Sequence, residues 1–120
     1  MKVLVIDDSK FMRKSLALKL KKKGMKVFQA EDGQQGIRMA GKIKPHMILL
    51  DLIMPGMNGF ETCEQLRKIK GLENVPIIMV TVKSDERSVK KAMKVGATDY
   101  VVKPVNCQEL FEKMEKCLVV

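Results

Sequence analysis

Five polar residues follow short apolar runs in this 120-residue chain: Asp7 and Asp8 after residues 3–6, Asp51 after 47–50, Thr81 after 77–80, and Lys103 after 100–102. Separately they have ordinary readings: a helix cap, a strand threonine, a solvated lysine. Together they make three carboxylates, one hydroxyl and one ammonium. Three carboxylates packed side by side repel, so some must take up a proton or bind a cation. All-oxygen donors with no His or Cys beside them suit a hard ion such as Mg2+, which one or two carboxylates and several waters hold. General acid–base chemistry asks instead for a histidine or a carboxylate of raised pKa. The set suits phosphoryl transfer, with a carboxylate nucleophile, a charge-neutralising metal, and Lys and Thr on the equatorial oxygens.

Residues so far apart meet only if the fold collects them. The stretch 47–59 reads M-I-L-L-D-L-I-M-P-G-M-N-G, an apolar run that delivers Asp51 to a loop broken at Pro55-Gly56 and again at Asn58-Gly59. This is the pattern of a buried strand in a parallel sheet. Residues 3–6 form a similar strand, followed by a helix capped by Asp8 or Ser9, with Met12, Leu16 and Leu20 inward and Gly24 at its end. Residues 25–30, with Lys26 and Gln29, read as a more polar edge strand. Asp32 and Gln35 resemble a capping box for a helix with Ile37, Ala40 and Ile43 inward, stopped by Pro45. Phe60, Cys63, Leu66 and Ile69 mark a helix ending near Gly71, and Pro76 opens the strand that closes on Thr81. Ser84 is expected to cap a helix with Val89, Ala92 and Met93 inward, ending at Gly96. Asn106 and Glu109 open the last helix, striped by Cys107, Leu110, Phe111, Met114, Cys117 and Leu118.

Strand and helix thus alternate five times. The pattern predicts an α/β fold, a flavodoxin-like (βα)5 three-layer sandwich with a parallel sheet and right-handed crossovers. Every carboxyl end of a parallel sheet lies on one edge, where open sheets of this class bind ligands at the point of reversed strand order. The four strand ends therefore converge.

Length and composition bound the rest. One domain, residues 1–120, is expected, with a core large enough to need no disulfide or metal staple. The apolar fraction of 46% and charged fraction of 31% fit a soluble globular chain, and nothing approaches the run of about 18 apolar residues that a membrane span needs. Met1-Lys2 leads into a short apolar run that ends at Asp7-Asp8, unlike a signal peptide. Cys63, Cys107 and Cys117, odd in number and outside metal spacings, read as reduced thiols of a cytoplasmic protein. The last helix reaches the end of the sequence, so no output domain is expected in this chain. The net charge of +9 is uneven: residues 1–26 hold nine basic side chains against two acids, densest at Lys19, Lys21, Lys22 and Lys23. That stretch is either a solvated helix face or a surface for an acidic partner. With 4% aromatics and no zinc-finger, RNP-like or basic-zipper pattern, nucleic-acid binding is not expected.

Four motifs, V-L-V-I-D-D-S, L-L-D-L-I-M-P-G-M-N-G, M-V-T and D-Y-V-V-K-P, stand in an order and spacing that resemble the receiver domain of bacterial response regulators, the CheY-like family. The resemblance runs from Met1 to the final helix and implies strand order 2-1-3-4-5. It implies a phosphorylation-dependent switch of a two-component phosphorelay, of the stand-alone chemotaxis type, that acts on no substrate beyond its own phosphorylation and dephosphorylation. Asp51 would accept the phosphoryl group from a histidine kinase or phosphotransfer protein. Asp8 and Asp51, with the backbone carbonyl of Ile53, would ligate Mg2+ directly, and Asp7 through water. Thr81 and Lys103 would hold the phosphoryl oxygens, and Tyr100 would be an aromatic switch that turns inward as Thr81 moves. The Lys103–Pro104 bond would be cis. A downstream effector protein would dock on the 84–118 face, where Arg87, Lys90, Lys91 and Lys94 point to an acidic partner unless they only solvate a helix.

Departures from the family pattern are Val82 after Thr81, where a smaller residue is usual, then Lys83, and Val105 where an aromatic commonly stands. A haloacid-dehalogenase-type phosphatase would need a second Asp two residues after Asp51, and that residue is Ile53. A flavodoxin-like cofactor protein would need a Ser/Thr/Gly phosphate loop where Lys10-Phe11-Met12-Arg13 stands, and no Gly-rich dinucleotide or P-loop motif is present. The remaining alternative is a basic protein-interaction module without phosphoacceptor activity.

Overall fold

Short apolar runs become strands buried on both faces, and the computed structural model, which describes residues 1–118, buries 3–6, 47–50 and 77–81 so, with 26–30 more exposed at the edge. β1 (Lys2–Ile6), β2 (Lys26–Ala30), β3 (Met47–Leu50), β4 (Ile77–Thr81) and β5 (Asp99–Val102) alternate with α1 (Lys10–Lys22), α2 (Gly33–Ile43), α3 (Gly59–Arg67), α4 (Glu86–Lys94) and α5 (Cys107–Leu118). The strands pair in parallel in the order β2-β1-β3-β4-β5. The three-layer α/β sandwich and its strand order are as expected.

Alternation along each strand divides the core in two. Val3, Val5, Met47, Leu49, Ile78, Val80 and Val101 face one side and meet Leu16 and Leu20 of α1 and Leu110 and Met114 of α5. Leu4, Ile6, Ile48, Leu50, Ile77 and Met79 face the other and meet Ala40, Cys63, Leu66 and Ala92 of α2, α3 and α4. Each buried leucine or isoleucine here contributes about 2–3 kcal/mol. Burial pushes the Cys63 thiol up to about 11, which makes it a core residue rather than a reactive one.

Several helix ends differ from the sequence reading. α1 is not among them: Ser9, one of the two caps expected, accepts from the Met12 amide. Asp32 caps α2, but Gln35 Oε1 accepts from the Glu31 amide at 2.6 Å, one residue outside a true capping box. Asp85, not Ser84, caps α4: its carboxylate takes the Ser88 amide at 3.0 Å and the Ser88 hydroxyl at 2.8 Å, bonds stronger than a serine offers. The hydrogen bonds to Ser88 hold the Asp85 carboxyl below its ordinary pKa. Ser88 and Ala92 then make the buried line of α4, and Met93, one residue past Ala92, is 39% exposed rather than inward. In α5 only Leu110 and Met114 are buried, and Leu118 is exposed. Asn106 Oδ1 accepts from the Glu109 amide as expected of a cap.

α3 stops at Arg67, four residues before Gly71, because the chain tightens. The amides of Lys68, Ile69 and Leu72 bond carbonyls three residues back. The Arg67 guanidinium locks this turn to its surroundings, donating to Leu72 O at 2.9 Å, Val75 O at 2.6 Å and Gly96 O at 2.6 Å. At the other end Asn58 and Glu61 form a full capping box.

Gly59, which reads in sequence as a turn former, is the first residue of α3 and serves close packing instead. A Cβ there would collide with the Asp51 carbonyl oxygen and Leu52 Cα, both main chain. Gly41, on the outer side of α2, would meet nothing within 4 Å. Gly59→Ala is expected to destabilise by about 2–3 kcal/mol, and Gly41→Ala to stabilise by about 0.5–1 kcal/mol. Urea unfolding of the two variants checks this; shifts of the same sign would refute the packing role of Gly59.

Candidate functional site

Main-chain bonds at the carboxyl edge of the sheet set the site before any side chain does. The Asp7 amide donates to Ala30 O of β2 at 3.1 Å, and the Asp51 amide to Ile6 O of β1 at 3.0 Å. The Lys103 amide donates to Thr81 O of β4 at 2.8 Å. Three strands, β1, β3 and β5, thus hand their first loop residue to a neighbour, and the polar residues are held in one row.

Over that row, Lys103 Nζ lies 2.8 Å from Asp7 Oδ2 and 3.2 Å from Asp51 Oδ2. All three groups are nearly buried, with side chains 12%, 4% and 7% exposed. Asp7 Oδ1 accepts from the Ser9 amide at 2.9 Å, and Asp51 Oδ1 from the Ile53 amide at 3.2 Å, which keeps the Ile53 peptide beside the carboxylate. Asp8 is exposed. One oxygen from each of Asp7, Asp8 and Asp51 lies within 4.8 Å of the others. Such a donor set, all oxygen and part buried, could hold a hard divalent cation.

Burial alone would lower the Lys103 pKa, but the hydrogen bond to Asp7 and the charges of Asp51 and Asp7 outweigh it, so the ammonium is held above the ordinary 10.5. The carboxylate pair in turn has a fixed counter-charge. An electrophile at Asp51 would meet an oxygen anion with a cation already beside it.

Thr81 is fully buried at the end of β4, and its hydroxyl accepts from the Lys83 amide at 3.4 Å. It shares the edge with Asp51. Tyr100 is 6% exposed and already points inward, its hydroxyl donating to Lys83 O at 2.7 Å. Burial, then the charges of Asp85 and Asp51, raise the Tyr100 pKa. The Lys103–Pro104 bond is cis. Val82 is 61% exposed and leaves the fold free of any core role for it.

The sequence reading did not single out Arg13, whose Nη1 donates to the Asp7 main-chain carbonyl at 2.7 Å and fixes the acidic loop. Its signal was weak but present: it lies one turn after Ser9, to whose carbonyl its amide bonds at 2.9 Å. The second role of Ser9, its amide on Asp7, was hidden behind its role as a cap.

Lys103→Met leaves Asp7 and Asp51 buried without a counter-charge, and a loss of about 3 kcal/mol is expected at pH 7 in chelator. A folded-state pKa above 10.5 means that the Lys103 contribution is complete at neutral pH and fades only as pH rises through the raised value. Wild type should therefore show an alkaline decline that the variant lacks. Urea midpoints at pH 7 and about pH 11 test it; a variant as stable as wild type at pH 7 rules it out.

The chain was compared with known proteins. The response regulator receiver domain family matches residues 3–115. Protein PilH of Pseudomonas aeruginosa is 36% identical over 117 residues, which span 98% of this chain and 97% of PilH. Transcriptional regulatory protein AfsQ1 of Streptomyces coelicolor is 35% identical over 116 residues, 97% of this chain, but the match spans 50% of AfsQ1. Chemotaxis protein CheY4 of Vibrio cholerae has a solved structure that superposes with a TM-score of 0.94 at 32% identity, over 98% of each chain. With its sheet order, its row of strand-end residues and this match over nearly its whole length, the chain belongs to the response regulator receiver domain family.

Proposed function

We propose that this receiver domain is a phosphorylation-dependent switch of a two-component system that accepts a phosphoryl group on Asp51 from a histidine kinase or phosphotransfer protein. The observation that carries the reading is the Lys103 ammonium bridging Asp7 and Asp51 beside a three-carboxylate cluster. An Asp51 oxygen attacks phosphorus, the P–N bond of a phosphohistidine breaks, and the imidazole leaves with the electron pair. Asp8 and Asp51, with the Ile53 carbonyl, would hold Mg2+ directly and Asp7 through water; the ion supplies neutralisation of the phosphoryl charge. Lys103 exchanges an Asp51 oxygen for a phosphoryl oxygen, and Thr81 offers its hydroxyl to another.

The switch is a shift between loop arrangements. Drawing Thr81 toward the phosphoryl group disturbs its contact with the Lys83 amide, and Lys83 O is also the acceptor of the Tyr100 hydroxyl. Acceptor site and 84–118 face are linked through that one loop, and an effector protein docking there reads the state. Likeness to chemotaxis protein CheY4 favours a chemotaxis-type pathway. Among the described residues no helix is long and apolar enough to cross a membrane, which accords with action in the cytoplasm.

Intact mass after incubation with acetyl phosphate and Mg2+ tests the acceptor: wild type gains one phosphoryl group, whereas Asp51→Asn and a chelator-treated sample gain none. Equal labelling of wild type and Asp51→Asn removes Asp51 as acceptor. Val82, exposed next to Thr81, is expected to slow both phosphorylation by small donors and hydrolysis. Val82→Ala should raise both rates about two- to fivefold, under about 1 kcal/mol of barrier; unchanged rates in a stopped-flow comparison would dismiss that role.

A further inference from the structure

Of the four cations expected on the 84–118 face, three line a groove against α3, and Arg87 is not among its lining residues. Lys90, Lys91 and Lys94 of α4 meet Glu64, Arg67 and Lys68 of the α3 end around an open groove of about 790 Å3. Helical geometry explains the turn: with Ser88 and Ala92 buried, Lys91 and Lys94 fall on the flank toward α3, and Met93 on the other. Val95 and the lysine stems give the groove an apolar floor.

Five cations here stand against one carboxylate, Glu64. The Arg67 guanidinium is tied to main-chain carbonyls and is a fixed charge in the wall. Lys91 is placed over the Phe60 ring at 4.6 Å. Lys90 pairs with Glu86 in an exposed bridge of little worth. Among the described residues, Lys68, Lys91 and Lys94 have no carboxylate within 4.0 Å.

We propose that the groove between α3 and α4 docks an acidic helical segment of a partner protein, on the α3 side of α4 and without need of phosphoryl transfer at Asp51. A trough between two helices takes a third helix along its length. Carboxylates spaced three and four residues apart on that helix would face Lys90 and Lys94, themselves one turn apart, and Lys91 and Lys68 across the trough. Nucleic acid suits it less: the arginine fork is already bound to carbonyls, and the Phe60 ring packs against the core with the Lys91 ammonium over one face. A lipid surface would call for exposed apolar side chains beside the lysines, as on α1, where Phe11 and Leu18 are exposed.

The probe is a labelled synthetic helix of about sixteen residues with glutamates at i, i+3, i+4 and i+7, followed by fluorescence anisotropy at low and physiological salt. Lys68→Glu/Lys91→Glu/Lys94→Glu should weaken binding at least about tenfold. Lys19→Glu/Lys21→Glu/Lys22→Glu, an equal charge change on α1, should weaken it less than about threefold. The neutral Lys68→Gln/Lys91→Gln/Lys94→Gln should fall between wild type and the groove reversal. Circular dichroism melts report folding of every variant, whether or not Asp51 takes a phosphoryl group, so failure of docking and failure of the acceptor are read apart. Equal loss in the two glutamate variants, no binding by wild type, or groove-dependent binding that is tighter for a DNA duplex or a phosphatidylserine vesicle than for the helix overturns the proposal.

Discussion

The ion cluster of Lys103 with Asp7 and Asp51 is the constraint on which the molecule turns. A parallel sheet with its polar residues on one edge forces carboxylates together, and like charges at such distances oppose folding unless a cation joins them. Lys103, just past β5, reaches over β4 to Asp51 and over β3 to Asp7 to supply one. The arrangement is still short of cations, since Asp8 adds a third carboxylate and, among the described residues, has no ion pair of its own. That unfinished charge balance is what an incoming divalent ion or phosphoryl group would exploit.

Rigidity beneath the cluster makes its geometry dependable. The two layers of helices clamp the sheet through separate apolar clusters, and the polar row sits on strands whose side chains are buried on both faces. Close contacts carry this support to the loops. Arg13 holds the Asp7 carbonyl, Gly59 lets α3 approach the Asp51 main chain, and Arg67 ties the end of α3 to the turns before β4 and after α4. Freedom is left mainly where the chain leaves β4. There Thr81, Lys83 and Tyr100 share a short set of hydrogen bonds that includes one weak contact of 3.4 Å.

The excess positive charge is organised at two places rather than spread evenly. Lysines of α1 stand outward with exposed Phe11 and Leu18 among them. Those of α4 lean toward α3 and enclose a concave surface. Convex and concave surfaces of equal charge select different partners, because only the concave one can surround a carboxylate with several ammoniums at once. The overall charge of +9 is therefore a poor guide to what binds where.

The sequence by itself determined the element order, the parallel sheet and the identity of the strand-end residues. Apolar runs of three or four residues ending in Asp, Thr or Lys have few other folded forms, because strands of a parallel sheet must bury both faces and so advertise themselves. Helix ends were legible only to within a residue or a turn. Ser84 and Asp85 are both able caps, and the choice fell to Asp85 through its pair of bonds to Ser88, a contact that exists only once the turn has formed. Tertiary structure alone decided that Lys103 bridges Asp7 and Asp51, that Met93 and Leu118 remain exposed, and that the α4 lysines face α3. It alone required Gly59 to lack a side chain. Periodicity fixes the side of a helix that is buried, but which neighbour meets each flank depends on how the helices settle on the sheet, and contacts between residues far apart in sequence leave no local pattern to read.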